Sequence, residues 1–251
     1  MELFIKQPNL PQGSVKTALL GSAYPDIVDA LNEIGITPIC LPDNNAIAHP
    51  VRAHADMSAY YCGNGKLILS QNIAGKCRPE IFPQNTILAV SANCQSEKYP
   101  FDITLNACEI GEYIFCKKDC IDSKILSHAV NCDKKIINTH QGYSKCSVCI
   151  LDEKHIITSD SSIASNAVSV GIDVLLISPG FFELSGYNYG FIGGCSFKIS
   201  NDTIAFTGIL SGHSDEKRIM QYIESLGLKA IFLTKERCFD IGSVIPLTEE
   251  R

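Results

Sequence analysis

Apolar and polar positions alternate along this chain in short, strand-length runs, and the same arrangement of runs returns several times. The segment Lys145-Cys146-Ser147-Val148-Cys149-Ile150-Leu151 through Thr158 lies without a gap over Gly194-Cys195-Ser196-Phe197-Lys198-Ile199-Ser200 through Thr207. Cys-Ser, an Ile and a Thr coincide, and both segments read as strand, polar turn, strand. His54 to Ser70 has the same shape around a Gly63-Asn64-Gly65 hairpin turn, and His140-Gln141-Gly142-Tyr143-Ser144 opens its own repeat in a similar way. Self-similarity at this period is the mark of propellers and arrays, because one such unit cannot bury its own apolar face.

The pattern between the hairpins fills in the unit. After the run Val15–Leu20, the residues Ile27, Val28, Leu31 and Ile34 fall on one helical face, with Pro25 suited to a first turn and Gly35 to a stop. Thr37–Leu41 then reads as a buried strand. Further helices are predicted over 122–130, 162–170 and 214–226, the last with Ser214 as N-cap. The crossover 73–84 carries two prolines and reads as loop. Strands are expected at 86–90, 103–108, 113–116, 135–138, 173–177 and 230–233.

The last strand, 241–247, has no helix after it and supplies the first strand missing from the N-terminal unit. The expectation is an α/β chain of five pseudosymmetric ββαβ units. They span roughly 241–251 with 1–49, 50–98, 99–139, 140–188 and 189–240, in a propeller closed by its C-terminal strand. A doubly wound sheet is the weaker reading, since Gly21-Ser22-Ala23-Tyr24-Pro25 is no phosphate-binding turn.

Composition narrows the function classes. At 251 residues and a net charge of −6, the chain has no basic footprint for nucleic acid. No apolar run reaches bilayer length and MELFIKQPNL contains no signal core, so a cytoplasmic protein without a membrane partner is expected. Twelve cysteines in such a chain read mostly as small buried residues of a reducing compartment. Cys146 and Cys149 have the spacing of half a zinc site. On an alternating strand, however, residues three apart point to opposite faces, and no metal or cofactor is assigned.

Five such units resemble the pentein fold of the guanidino-group-modifying superfamily, which includes arginine and agmatine deiminases, dimethylarginine hydrolases and amidinotransferases. The most specific stretch is Ile192-Gly193-Gly194-Cys195-Ser196 to Gly208, which is similar to that superfamily's Gly-Gly-Asp strand, turn and strand. The resemblance implies a nucleophilic cysteine near the C-terminus, an acid–base histidine and carboxylates gripping a planar cation. Asp56, with His54 two positions earlier, stands where a substrate carboxylate is expected.

His140 stands at the histidine position, but His140-Gln141-Gly142 lacks the aspartate of a His-x-Asp motif. In Asp240-Ile241-Gly242-Ser243, Ser243 occupies the place of the cysteine, leaving Cys238, Ser243 or Cys195 as nucleophile candidates. Asn106, Gly193, Gly194, Cys195 and Asp240 complete the expected central pocket. Two functions follow: an amidino or ureido hydrolase or an amidinotransferase acting on a cationic, arginine-like small molecule, or a degenerate pentein that only binds a ligand or macromolecule.

Overall fold

Each repeat folds into its own small sheet. The computed structural model describes residues 1–251. The first unit contains β1 (Glu2–Phe4), β2 (Ser14–Gly21), α1 (Pro25–Glu33) and β3 (Thr37–Leu41). Pro25 starts α1, Ile27 and Leu31 are its buried stripe, and Gly35 leaves it at φ +78°. The second has α2 (Ala55–Ser58), β4 (Ala59–Tyr61), β5 (Lys66–Leu69), α3 (Gln71–Ala74) and β6 (Ile87–Val90). Its hairpin turns through three successive left-handed residues, Gly63, Asn64 and Gly65.

The third unit has β7 (Cys108–Ile110), β8 (Tyr113–Cys116), α4 (Ser123–Asn131) and β9 (Lys135–Asn138). The fourth has α5 (Ser144–Ser147), β10 (Val148–Ile150), β11 (His155–Thr158), α6 (Ser161–Ser169) and β12 (Asp173–Leu176). The fifth has β13 (Ser196–Lys198), β14 (Thr203–Phe206), α7 (Glu216–Ser225) and β15 (Lys229–Phe232), and β16 (Ile245–Glu250) ends the chain.

In every unit the first strand runs antiparallel to the second and the second parallel to the third, as in β4-β5-β6 and β10-β11-β12. β16 takes the first-strand position of the N-terminal unit. It lies between β1 and β2, pairing Glu250 with Glu2 and Ile245 with Leu19.

Shared cores link the sheets in cyclic order. Tyr61, Leu67 and Leu69 pack with Leu19 and Leu20 and with Phe197 and Ala205, joining units one, two and five. Ile68 packs with Ile114, Phe115 with Ile156, and Ile157 with Ile204, joining two to three, three to four and four to five. Burying a leucine or isoleucine in such a seam contributes about 2–3 kcal/mol, so no unit gives up its neighbours cheaply.

The first strands β4, β7, β10 and β13 are buried along their whole length, whereas the third strands β6, β9, β12 and β15 are exposed at both ends. The middle of the molecule therefore belongs to the first strands and to what precedes them.

Several expectations are corrected. The C-terminal strand begins at Ile245 rather than at 241, and the 73–84 crossover holds the end of α3 and a 3-10 turn (Pro79–Ile81). Residues 103–107 form a turn rather than a strand: Asn106 reaches the centre, while Ile103 packs with Met57 and Leu105 with Tyr60 and Ile68. Cys146 and Cys195 lie on short helical turns ahead of their strands and not within them. α7 begins after Asp215, whose carboxylate takes the Ser178 N–H, so Ser214 is not its cap.

Candidate active site

Five turns, one ahead of each first strand, meet at the centre. α2 brings His54 and Asp56, the 103–107 turn brings Asn106, and α5 brings Lys145 and Cys146. Gly193 and Gly194 come from a 3-10 turn (Ile192–Cys195), and the segment before β16 brings Asp240 and Ser243. All of these are buried.

Backbone bonds lock the turns together. Asp56 N–H donates to Gly242 O at 3.1 Å, and Ser243 N–H donates to Gly194 O at 2.9 Å. Asn106 Oδ1 accepts the Lys145 N–H at 2.8 Å. The close approach explains the glycines. A Cβ on Gly194 would lie 1.8 Å from Asp240 Oδ1, and one on Gly193 would lie within 2.6 Å of the Lys145, Cys146 and Val148 carbonyl oxygens.

The reactive cluster is Cys146 with its neighbours. The Cys146 thiol donates to Asp56 Oδ2 at 2.9 Å, and Asn106 Nδ2 donates to the sulfur at 3.2 Å. Ligand atoms of His54, Asp56 and Cys146 all lie within 4.8 Å of one another. Neither ring nitrogen of His54 has a hydrogen-bond partner, and neither has Asp56 Oδ1. His54 Nδ1 is 3.8 Å from Asp240 Oδ1. Asp240 is fixed in turn by the N–H groups of Gly242, at 2.9 Å to Oδ1, and of Phe191, at 2.8 Å to Oδ2.

Burial lifts the Asp56 carboxyl to about 7, against the opposing pull of the Lys145 charge. Burial, followed by the charges of Asp56 and Asp240, pushes the Cys146 thiol well above its ordinary value. Burial lowers His54, which stays a neutral imidazole.

Above this cluster opens a cavity of about 240 Å³. His54, Cys146 and Asp240 reach it from below, and Tyr143, Tyr187, Tyr189 and Phe191 line it. Tyr143 stacks on Phe191 with ring centres 6.4 Å apart, and Tyr189 meets Phe191 edge-on at 6.1 Å. The Tyr143 hydroxyl is anchored on Asp102 Oδ2 at 2.6 Å.

The three residues expected to carry catalysis lie elsewhere. His140 is exposed, because it follows a third strand, β9, whose ends face outward. Cys238 is buried in the core between units four and five, its sulfur 3.5 Å from the Thr207 hydroxyl. Ser243 accepts from Lys145 Nζ at 2.9 Å and donates to Ser196 O at 3.1 Å, which ties up its hydroxyl beneath the cavity. None of the three lines the cavity. Cys195 also turns away, donating to Phe191 O at 3.1 Å.

Of the expected binding residues, His54 and Asp240 line the cavity, Asp56 and Asn106 support Cys146 from behind, and Gly193 and Gly194 supply backbone. The sequence offered Cys146 only as half of a Cys146-x-x-Cys149 spacing, which was set aside, and the aromatic walls were not singled out. The one available signal was the alignment of Cys146-Ser147 with Cys195-Ser196.

Comparison with solved structures gives the fold its relatives. An inosamine-phosphate amidinotransferase from Streptomyces griseus superposes with a TM-score of 0.61 at 9% identity, covering 98% of this chain and 97% of that one. An agmatine deiminase from C. jejuni gives 0.55 at 9% identity, with 92% and 90% covered. An amidinotransferase of the saxitoxin pathway from Microseira wollei gives 0.54 at 10% identity, with 95% and 96% covered. All are pentein proteins, and the five-unit α/β fold here is the pentein fold. No curated protein matches by sequence. Residues 20–245 match the model of the family of unknown function DUF6873, and the chain belongs to that family.

Proposed function

We propose that the protein binds a small, arginine-like cation in the aromatic cavity and acts on it through Cys146. The observation that carries this reading is the thiol at the cavity floor with its hydrogen on a buried carboxylate, Asp56. Asp56 and Asp240 are the buried carboxylates of the centre, and Lys145 is the buried lysine beside them. With His54 neutral, the centre holds more acidic groups than basic ones, a setting that favours a guanidinium. Aromatic walls favour the same ligand, since a planar cation is attracted to ring faces. Asp240 and His54 are placed to accept its N–H groups.

In the proposed reaction Cys146 Sγ bonds to the central guanidinium carbon while its proton passes to Asp56. The C–N bond to an amine then breaks, and the amine leaves with a proton. Transfer of the sulfur-bound amidino carbon to water makes a hydrolase, and transfer to an amine makes an amidinotransferase. The solved relatives named as amidinotransferases and an agmatine deiminase support the general kind of chemistry.

A second reading, binding without turnover, is favoured by the strong upward push on the Cys146 thiol, which keeps it protonated until a cation arrives. Calorimetry and product assays with arginine, agmatine and their methylated forms test both. Heat with ammonia, urea or a transferred amidine supports the enzyme, heat alone supports the binding module, and no heat with any of them overturns both.

A further inference from the structure

We propose that His54, Asp56 and Cys146 also form a site for one divalent transition-metal ion of the zinc type, open toward the aromatic cavity. Three different ligand types converge within 4.8 Å and all are buried. Four-coordinate zinc holds its ligands about 3.5 Å apart, so only a small closure is needed. The His54 and Asp56 ligand atoms are also free. Asp56 Oδ1 and both His54 nitrogens are buried without a hydrogen-bond partner, an arrangement that costs stability unless something else satisfies them.

The surroundings fit as well. Asp240 Oδ1 lies 3.8 Å from His54 Nδ1, which places a carboxylate beside the ring, as at many zinc–histidine sites. Asn106 Nδ2 donates to the Cys146 sulfur and stabilises a thiolate there. The His54 and Cys146 side chains line the cavity, so a fourth coordination position points into it. On binding, the ion replaces the thiol proton, which leaves to solvent. The ion's two positive charges with Lys145 then balance Asp56, Asp240 and the thiolate. A mixed nitrogen, oxygen and sulfur set selects zinc-like ions over magnesium or calcium.

This centre is distinct from the Cys146-x-x-Cys149 spacing, because Cys149 points into the core between units four and five. The metal site stands independently of the proposed reaction. Its consequence rests on that reading: an ion holding Cys146 prevents attack and competes with the organic cation.

Cobalt titration of the reduced, metal-stripped protein tests it. One Co²⁺ per chain is expected, with a thiolate-to-cobalt absorption band and a four-coordinate visible spectrum. Cys146→Ser should remove the band, and Cys149→Ser should keep it. Asp240→Asn should weaken binding about 10–100-fold while keeping the band. In wild-type protein, zinc should protect Cys146 from alkylation, read by peptide mass spectrometry, so the test survives a variant that fails to fold. A band that persists in Cys146→Ser, or Cys146 alkylated equally with and without zinc, overturns the site. Guanidine binding to the metal-free protein is read separately by calorimetry, so either proposal can fail alone.

Discussion

Cys146 and Asp56 lie ninety positions apart in the chain, yet the Cys146 thiol donates to Asp56 Oδ2 across 2.9 Å. The contact joins the turn ahead of β10 to the turn ahead of β4, so it exists only because two units share the molecular centre. A buried carboxylate beside a thiol is a proton acceptor, and the cavity above gives the sulfur access to a small electrophile.

Cys146→Ser should therefore abolish turnover of any guanidine substrate and labelling by an amidine electrophile. The exchange is nearly isosteric, and the melting temperature should move by only a few degrees, about 1 kcal/mol of stability. Cys238→Ala should leave labelling intact, since that thiol lies in a core away from the cavity. Labelling that moves to Cys238 or Cys195 in the wild-type protein would remove Cys146 from the role.

What the sequence made legible was the repeat. Hairpins with two-residue alternation and helices such as α1, with Ile27 and Leu31 on one stripe, carry their own periodicity. The unpartnered run at 241–247 announced a strand that completes the first unit, although the strand itself runs from Ile245 to Glu250. The site was harder to read because it is built from turns. α5 is four residues long, too short for any helical pattern, and Cys146 was placed on a strand that in fact begins at Val148. His140 misled for the opposite reason: it ends an outer strand, and only the turns before inner strands reach the centre. His54, Asp56 and Asp240 were recognisable through the resemblance, although their mutual contacts were not.

Glu109 sets a pH limit on stability. It is buried in β7 and accepts from the Tyr60 hydroxyl at 2.6 Å and pairs with His128 Nε2 at 2.9 Å, while Lys134 Nζ lies 2.9 Å from its other oxygen. Burial alone would raise its pKa, but the bonds from His128 and Tyr60, with the charge of His128 and the bond from Lys134, outweigh burial and lower it. A lowered folded-state value means the stabilisation is present above the ordinary carboxylate range and is lost as pH falls through the folded value. Glu109→Gln should cost about 3 kcal/mol at neutral pH, and the gap in denaturant midpoint should narrow below about pH 4. A gap that is constant from pH 7 to 3 would contradict this.

Gly194 holds Asp240 in place by being absent as a side chain. Its Cβ would fall 1.8 Å from Asp240 Oδ1, which is already fixed by Gly242 N–H. Gly194→Ala should push that carboxylate away from His54 and weaken cation binding about 10-fold or more, at a stability cost of about 1–3 kcal/mol. Gly193→Ala should cost more, since it meets backbone carbonyls that cannot rotate away. Thermal unfolding ranks the two, and equal midpoints would show that the turns give way where the packing says they do not.

The aromatic walls give the last test, and the chain carries its own probe. There is no tryptophan among its residues, so the emission of the native protein is that of nine tyrosines, three of which, Tyr143, Tyr187 and Tyr189, line the cavity. A cation seated among them should change tyrosine emission in a saturable way. A ureido compound of the same shape lacks the charge and should bind more weakly. It loses the attraction of the ring faces, worth about 1–2 kcal/mol when desolvated, and the pairing with Asp240. That difference amounts to about 10-fold or more in affinity.

Phe191→Leu removes one ring while keeping an apolar wall, and should narrow the preference for the cation without moving the melting point by more than a few degrees. Asp240→Asn should narrow it further. If cation and neutral ureido analogue titrate alike in all three proteins, charge recognition is not what this cavity does, and the carboxylates serve only to hold the turns together.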